Sequence, residues 1–440
     1  MNSKHILKSL LAVAFIAGIS SCKPDLKDVT PSNGQADFSR YIAIDNSLTS
    51  GYADNGLYLE GQKNSYPEML AAQMKNVGGG SFATPFFSEA HANGSGYAKL
   101  LGLNANGTPN IGAETSNLAV RGQIAIPGFG NVILYDKYTG DLNNFGVPGI
   151  KLAHVNLAAY GNLNGYYERL LPGNAGTNTT TYLDFVTAKP YTFFSMWLGN
   201  NDILGYASSG GAGDIPTPKA DFAALYSATV NRLISSKAKG VVATIPDVTT
   251  TPYFRTVTLA TLLATIRATP AGASVTTLYI QTGAGATRAA TADDLFTLTL
   301  SSAGVLGVPN ASGLPYGLHP LNPIENKYVL DVAEVATVND FTASYNATIT
   351  SIANANGLAL MDANALLKQY TVPTQVNGAA VSSAYITGNL FSLDGIHLTP
   401  MGYALTANAF IKAINSKYGS TIPIVDVTKY RGVKFPQNNN

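Results

Sequence analysis

Five residues in four short segments have the types that acyl-transfer chemistry requires. Ser47 follows the apolar run "YIAI", and Asn201 follows the apolar run "YTFFSMWLGN". Gly149 lies in "NFGVPGIK", and Asp394 and His397 lie close together in "LDGIHLTP". A serine hydroxyl is a weak nucleophile and needs a base within hydrogen-bond reach. His397 is the best candidate base among the five histidines, because Asp394 can fix the tautomer of its ring.

The same chemistry needs donors for the negative oxygen of a tetrahedral intermediate. The predicted donors are the backbone N–H groups of Ser47 and Gly149 and the side-chain amide of Asn201. Removing one such donor costs about 3 to 4 kcal/mol of transition-state stabilisation. No Gly-x-Ser-x-Gly elbow surrounds Ser47, which argues against the α/β-hydrolase fold.

The remaining histidines and acidic residues suggest no second reaction. His91, His154 and His319 have no carboxylate at a comparable spacing and are predicted to be structural. No group of His, Asp or Glu residues has the spacing of a metal site. Trp197 is predicted to be a core residue, and Asp202 is predicted to cap or brace the turn next to Asn201.

The elements around the candidate residues predict a parallel sheet. Residues 41–44 form the first buried strand, and the helical pattern of residues 219–239 ends on Gly240, a plausible cap, directly before the strand "VVATIPDV". This helix-to-strand step is half of a βαβ unit. The last helix has Thr399 as its predicted N-cap and Pro400 at its first position. Ligands of open parallel sheets bind beyond the carboxyl ends of the strands, so the candidate residues should converge there.

Two long insertions interrupt this pattern. Residues from about 77 to 140 are rich in Gly, Asn, Ser and Phe and are predicted to be dominated by loops. Residues 252–325 form the second insertion, in which an apolar stripe runs at helical spacing. The stripe, which consists of Leu259, Leu262, Leu263 and Ile266, is predicted to pack on the domain, with a substrate lid as the alternative.

The first 22 residues have the pattern of an export signal. Lys4 and Lys8 precede the apolar segment Leu10–Ile19, which is far shorter than the roughly 20 residues that a membrane-spanning helix needs. The segment ends in "ISSC" at Cys22, the only cysteine of the chain. This ending resembles the lipobox of bacterial lipoproteins and implies a lipidated Cys22. Residues 23–37 are polar and are predicted to be a tether, which leaves residues 38–440 as a single domain with its two insertions.

Composition excludes some function classes. The formal net charge is +1 and charged residues make up only 12% of the chain, so nothing favours a nucleic-acid partner. Without a second cysteine no disulfide can form within the chain, and the hydrophobic core has to supply its stability.

The segments "DNSLTSGY", "FGVPG", "GNND" and "DGIHLTPMGY" occur in the order and placement of the four sequence blocks of the SGNH, or GDSL-like, hydrolases. The chain resembles this family from Ser47 to the final helix, with both insertions outside the resemblance. The family implies a three-layer α/β/α, flavodoxin-like fold and ester hydrolysis without metal or cofactor. It implies that Ser47 is the nucleophile, His397 the base and Asp394 its orienting partner, with Gly149 and Asn201 as oxyanion donors.

The first block departs from the family pattern, because Asp45 and Asn46 stand where the family has Gly and Asp. A carboxylate at position 45 would oppose negative charge in the oxyanion hole.

Two hypotheses therefore stay open. The first is an exported, lipid-anchored esterase, lipase or carbohydrate deacetylase in the cell envelope, with the outer membrane of a Gram-negative bacterium as the expected location. The second is a surface lipoprotein that binds glycan or lipid on a catalytically weakened scaffold. The natural ester (acyl lipid, aryl ester or acetylated glycan) stays open too.

Overall fold

The secondary structure is known from a computed structural model that describes residues 30–104 and 108–436. Its strands, in chain order, are β1 (Tyr41–Asp45), β2 (Tyr97–Leu103), β3 (Pro109–Glu114), β4 (Val120–Ile126), β5 (Gly130–Tyr135), β6 (Asn144–Gly146), β7 (Phe193–Met196), β8 (Lys239–Ala243), β9 (Tyr279–Gln281), β10 (Thr287–Ala289), β11 (Leu295–Phe296), β12 (Val329–Leu330), β13 (Ala359–Met361), β14 (Thr374–Val376) and β15 (Ala379–Val381). Its α-helices are α1 (Ser47–Ser50), α2 (Leu59–Lys63), α3 (Tyr66–Met74), α4 (Tyr160–Leu163), α5 (Gly165–Glu168), α6 (Tyr182–Val186), α7 (Asn201–Ser208), α8 (Lys219–Ile234), α9 (Pro252–Arg255), α10 (Leu259–Arg267), α11 (Leu298–Ala303), α12 (Val332–Ala355), α13 (Ala363–Gln369) and α14 (Pro400–Tyr418).

Five of these strands form one parallel sheet in the order β13–β8–β7–β1–β6. Counted along the chain within the sheet, this is the 2-1-3-4-5 order of flavodoxin-like folds. The order reverses direction between β1 and β7, because the chain crosses from β6 on one side of β1 to β7 on the other. Ligands of such sheets bind beyond the carboxyl ends of the strands at this switch point.

Helices cover both faces of the sheet. Successive side chains of a strand point to opposite faces, so Ile42 and Ile44 of β1 pack in one core together with α8 and α12. Tyr41 and Ala43 pack in a second core together with α3, α13 and α14. A parallel sheet that is buried on both faces reads as continuous apolar runs, which is why β1 and β7 were recognisable. The three-layer α/β/α prediction is confirmed.

The helix that precedes β8 ends earlier than predicted. Helix α8 stops at Ile234, and Lys237 takes the left-handed conformation, with φ 65°. Gly240 is the second residue of β8 and does not cap the helix, so the cap prediction is wrong. A Cβ at Gly240 would lie 2.5 Å from the ring of Phe194, its partner on β7. The glycine therefore serves the packing of the sheet.

The first insertion contains more regular structure than predicted. Strands β2 and β3 form one antiparallel hairpin and β4 and β5 form another, so the sequence analysis missed two hairpins within the segment that it predicted to be dominated by loops. Few residues of β2, β3 and β4 are buried, whereas β5 buries Val132, Leu134 and Tyr135, and the registers of the hairpins shift before Gly102 and Gly122. Exposed strands do not need the alternation of apolar and polar residues that marks a half-buried strand.

The second insertion has a core of its own. The apolar stripe of α10 packs there: Leu262 is buried, and its three neighbours in the stripe are partly buried against Leu278, Ile280 and Phe296. The stripe therefore has the packing role expected of it, and its side chains are engaged within the insertion.

The described chain is folded from Ser32 onward. Gln35 N–H donates to the carbonyl of Tyr418, and Ala36 is buried, so the last residues of the predicted tether pack against the end of α14. The predicted signal segment and Cys22 lie outside the described residues. Within residues 30–104 and 108–436, no helix has the length and apolar character to cross a bilayer.

Candidate active site

Ser47 is fixed at the carboxyl end of the central strand β1. The strand ends at Asp45, and Asn46 caps the short helix α1 by accepting a hydrogen bond from Leu48 N–H at 3.0 Å. Ser47 is the first residue of α1, so its own N–H has no acceptor within the helix. The turn from β1 into α1 therefore presents both the hydroxyl and the N–H of Ser47 beyond the end of the sheet.

The loop before α14 carries the other two candidate residues. Gly395 lies between them with φ +71°, and a Cβ there would lie 2.9 Å from the backbone nitrogen of Tyr253. Only glycine meets both conditions without strain. The tight turn allows Asp394 Oδ1 to accept hydrogen bonds from the backbone N–H groups of Ile396 and His397, at 2.8 and 2.7 Å.

The structure brings the serine, the histidine and the aspartate together. His397 Nε2 lies 2.8 Å from Ser47 Oγ, and His397 Nδ1 lies 2.9 Å from Asp394 Oδ2. An ionised carboxylate only accepts hydrogen bonds, so His397 Nδ1 carries the proton and Nε2 faces the serine as an acceptor. This is the arrangement in which an imidazole can take the hydroxyl proton.

Asp394 is held in its ionised form. Burial raises its pKa, but the charge of His397 and the hydrogen bonds from His397 and Ile396 lower it more, so the pKa lies well below the ordinary value for an aspartate. The carboxylate therefore keeps its charge throughout the neutral range and stabilises a protonated imidazole.

Three hydrogen-bond donors near Ser47 each have an N–H group that makes no hydrogen bond within the described residues. Within the described residues, neither the Ser47 N–H nor the Gly149 N–H has a hydrogen-bond acceptor. Asn201 donates one N–H to the carbonyl of Ile150 at 2.9 Å, which leaves its second amide proton for a ligand. Ser47, Gly149 and Asn201 line the same cleft of about 520 Å³, together with His397. These donors follow β1, β6 and β7, the three strands at the switch point.

Asp202 holds two of these segments together. Its Oδ2 accepts from Leu152 N–H at 2.6 Å, and its Oδ1 accepts from Thr217 Oγ1 at 2.6 Å and from Ala153 N–H at 3.2 Å. Burial raises the pKa of Asp202, and these hydrogen bonds oppose that effect. The bracing role predicted for Asp202 is confirmed, since it ties the start of α7 to the loop that follows Gly149.

Sequence reasoning missed the turn that positions the histidine loop. Asp54 and Asn55 both have left-handed backbone conformations, with φ 52° and 61°, in a tight turn between Ala53 and Gly56. Asp54 Oδ1 accepts from Leu393 N–H, and Asn55 N–H donates to Asp394 Oδ2, both at 2.9 Å. The "ADNG" segment was the available signal, because Asp and Asn tolerate this conformation better than other residues with a side chain.

Tyr52 is a second residue that sequence reasoning missed. Its ring lies 4.6 Å from the ring of His397, measured between centroids, and it lines the cleft. Tyr403 of α14 donates a hydrogen bond from its hydroxyl to the Tyr52 carbonyl at 2.6 Å. The imidazole is therefore held from one side by an aromatic ring and from the other by Asp394.

Asp45 does not have the effect expected of it. Its side chain is fully buried and lines neither of the cavities that meet at Ser47. Burial raises its pKa well above the ordinary value, against the hydrogen bonds from Asn46 N–H and Thr49 Oγ1. The side chain is buried beside Thr49 and is therefore separated from the space that a substrate can enter.

The other histidines have separate environments. His91 Nδ1 lies 2.5 Å from Asp136 Oδ2, a surface pair that sequence spacing did not reveal. The His154 ring stacks on Tyr160, and His319 Nδ1 accepts from a backbone N–H within its own turn. Trp197 is fully buried, as predicted. Among the described residues, no group of three or more His, Cys, Asp or Glu side chains is arranged to hold a metal ion.

Comparisons with known proteins give only remote similarity. No family model matches the sequence, and no curated protein is significantly similar to it. Among solved structures, LAE5, described as an alpha/beta hydrolase enzyme from the metagenome of Lake Arreo, Spain, is 12% identical, with a TM-score of 0.36 over 86% of this chain and 96% of LAE5. The acetyl xylan esterase AlAXEase is 13% identical, with a TM-score of 0.29 over 61% of this chain and 78% of its own. Scores this low carry no functional argument, so the function has to be inferred from the geometry of this chain.

The buried acid at position 45 generates a prediction about stability. A raised folded-state pKa means that Asp45 destabilises the folded state above the ordinary aspartate pKa of about 4 and not below it. Asp45→Asn removes the titration, so the variant should gain stability over the wild type at pH 7, because it no longer carries an acid whose ionisation is opposed by burial. This gain should shrink toward pH 4. Chemical denaturation of both proteins across this range, with exposed Asp293→Asn as a matched control, measures it, and a difference that is independent of pH would contradict it.

Proposed function

We propose that the protein is a serine ester hydrolase of the SGNH type, with Ser47 as the nucleophile, His397 as the base and Asp394 as its orienting partner. One observation carries the proposal: His397 Nε2 lies 2.8 Å from Ser47 Oγ while Asp394 holds the other ring nitrogen. The unpaired donors at the same cleft support it, because a hydroxyl–imidazole pair alone does not stabilise an oxyanion.

In the first half-reaction, Ser47 Oγ attacks the carbonyl carbon of the ester while its proton moves to His397 Nε2. The carbonyl oxygen becomes an oxyanion and accepts hydrogen bonds from the N–H groups of Ser47 and Gly149 and from the Asn201 amide. When the intermediate collapses, the bond to the alcohol oxygen breaks and His397 gives its proton to the departing alcohol. The acyl group is then bonded to Ser47.

In the second half-reaction, a water molecule enters the cleft and gives a proton to His397 Nε2 as its oxygen attacks the acyl carbon. The intermediate uses the same donors, and its collapse returns the proton to Ser47 Oγ and releases a carboxylic acid. Asp394 stabilises the imidazolium in both halves and is not itself protonated.

The alternative of a binding protein on a weakened scaffold was motivated by the charge at position 45. That side chain is buried and lines neither cavity at Ser47, so no described feature of the site favours a loss of activity. Hydrolysis thus remains the function that the geometry supports best.

Ser47→Ala and His397→Ala should each lower kcat/KM for a short-chain aryl ester by about 10⁴-fold or more, because each removes a partner of the same proton transfer. A fluorophosphonate probe should label the wild-type protein at Ser47 and should not label Ser47→Ala. Steady-state kinetics and mass spectrometry of the labelled peptide measure these outcomes.

Two control variants each remove a serine or a histidine that lies outside the candidate site. Ser65→Ala removes a buried hydroxyl that has no hydrogen-bond partner among the described residues, and His154→Ala removes a partly buried ring outside the cleft. Both should hydrolyse the ester at close to the wild-type rate. A folded wild-type protein that neither reacts with the probe nor cleaves any ester would overturn the proposal in favour of the binding alternative.

We also propose that the enzyme is exported and anchored to the cell envelope through a lipid on Cys22, on the basis of the sequence pattern of residues 1–22. Cells that express the full chain should incorporate labelled palmitate into it, and Cys22→Ser should lose the label. Equal labelling of the variant would contradict the anchor.

A further inference from the structure

Two spaces of very different size meet at the candidate nucleophile. One is the open cleft of about 520 Å³, and the other is a cavity of about 40 Å³. Ser47, Asn201 and His397 line both. A tetrahedral carbon bonded to Ser47 Oγ carries an oxyanion, a leaving alcohol and an acyl tail, so the tail and the alcohol have to divide these two spaces between them.

We propose that the small cavity is the acyl subsite and that the enzyme cleaves acyl groups of up to about four carbons from a bulky, hydroxyl-bearing alcohol held in the cleft. This inference rests on the proposed function and adds to it the size of the acyl group and the chemistry of the alcohol.

The lining of the small cavity suits a hydrocarbon tail. Most of the side chains that line it are apolar, namely Leu48, Trp197, Leu204, Pro246, Val248, Leu367, Ile396 and Leu398. Six polar residues complete the lining, namely Asn46, Ser47, Asn200, Asn201, Thr251 and His397. A tail that enters the cavity exchanges water for mostly apolar neighbours, which is favourable.

The volume of the cavity limits the length of the tail. A water-sized group needs about 10–15 Å³ of such space, so about 40 Å³ accepts roughly three groups of that size. The carbonyl carbon stays at Ser47, so acetyl, propionyl and butyryl tails fit and a hexanoyl tail does not. The walls resist expansion, because Leu398 and Trp197 are almost fully buried and the Trp197 indole N–H donates to the Thr244 carbonyl at 2.8 Å.

The leaving alcohol has to face the open side of the site. The alcohol has to leave before a water molecule can reach the acyl carbon. If the alcohol binds in the open cleft, the alcohol can leave and the water can enter by the same route. Asp394, which orients His397, lines the cleft and does not line the small cavity. The side of His397 that Asp394 supports therefore faces the cleft. A cleft of about 520 Å³ has the volume of an ordinary ligand site.

The first insertion forms the far wall of this cleft. Phe129, between β4 and β5, is 59% exposed, and Asn131, Val132 and Ile133 follow it along the lining. At the end of β5 the lining is aromatic: the rings of Tyr135 and Tyr166 stack with centroids 4.5 Å apart. Such a wall offers flat apolar faces to a ring-shaped ligand.

Two free amides give the cleft its polar character. Within the described residues, the side chains of Asn55 and Asn131 make no hydrogen bond, and both line the cleft. An amide both donates and accepts, and a hydrocarbon chain can use neither function. Aromatic faces combined with free amides therefore fit a polyhydroxy ring such as a sugar better than a long acyl chain.

The proposed limit on the acyl group is tested by measuring how fast the wild-type protein hydrolyses aryl esters of acetyl, propionyl, butyryl, hexanoyl and octanoyl groups. We expect kcat/KM to fall by at least about tenfold between the butyryl and hexanoyl esters, since a methylene in a fitted apolar pocket is worth about 10-fold or more. Octanoyl esters cleaved as well as acetyl esters would overturn the inference while leaving the proposed function intact. Absence of hydrolysis of every ester would instead overturn the proposed function.

Leu204→Ala should enlarge the small cavity and raise the ratio of hexanoyl to acetyl kcat/KM by about tenfold. Leu225→Ala is the matched control, because Leu225 is also a partly buried leucine of the same core but lines neither space at Ser47. The ratio is taken within each protein, so a partly unfolded preparation does not distort it. An unchanged ratio in a folded Leu204→Ala protein would overturn the assignment.

The proposed binding of the alcohol in the cleft is tested with three substrates: an acetylated methyl glycoside, methyl acetate and methyl octanoate. We expect kcat/KM for the glycoside to exceed that for methyl acetate by at least about tenfold, and Phe129→Ala to reduce this preference. Leu103→Ala, an equally exposed apolar residue on β2, should leave it unchanged. Methyl octanoate as the best substrate would instead put the acyl chain in the cleft and overturn the inference.

Discussion

The rest of the site depends on the 2.8 Å contact between His397 Nε2 and Ser47 Oγ, because these residues lie 350 positions apart in the chain. Each is fixed by its own element, Ser47 by the end of β1 and His397 by the loop before α14. The turn at Asp54 and Asn55 joins them, since its hydrogen bonds reach the histidine loop directly from the segment that follows the serine. A change in either element would move one partner without the other.

This arrangement concentrates unusual groups in a small volume. An aspartate kept ionised despite burial, donors without acceptors and two adjacent left-handed residues all lie within the same end of the sheet. The donors without acceptors and the left-handed residues destabilise the fold locally, and the two buried layers on either side of the sheet provide the stability that offsets this. Asp45 belongs to the buried interior beneath the site and lines neither of the cavities at Ser47, so its carboxyl group does not face the substrate.

Sequence analysis predicted the elements that a short stretch of consecutive residues reveals. Buried parallel strands are continuous apolar runs, so β1, β7 and β8 were visible, and the polar residues at their ends identified the candidate site. The hairpin that carries Phe129 was not predicted, because exposed strands lack a burial pattern. The pairing of His91 with Asp136 and the link from Asp54 to Leu393 are contacts between distant segments, which spacing along the chain does not encode. The size of the two spaces at Ser47 depends on how several distant segments pack and was likewise not predictable.

The most direct test of the central claim is a crystal structure of the protein inactivated by a small organophosphonate, a tetrahedral mimic of the acyl intermediate. The account predicts a bond from phosphorus to Ser47 Oγ and a phosphoryl oxygen about 2.7–3.1 Å from the N–H groups of Ser47 and Gly149 and from Asn201 Nδ2. His397 should remain within hydrogen-bond reach of Ser47 Oγ. An adduct on another residue, or a phosphoryl oxygen turned away from all three donors, would contradict it.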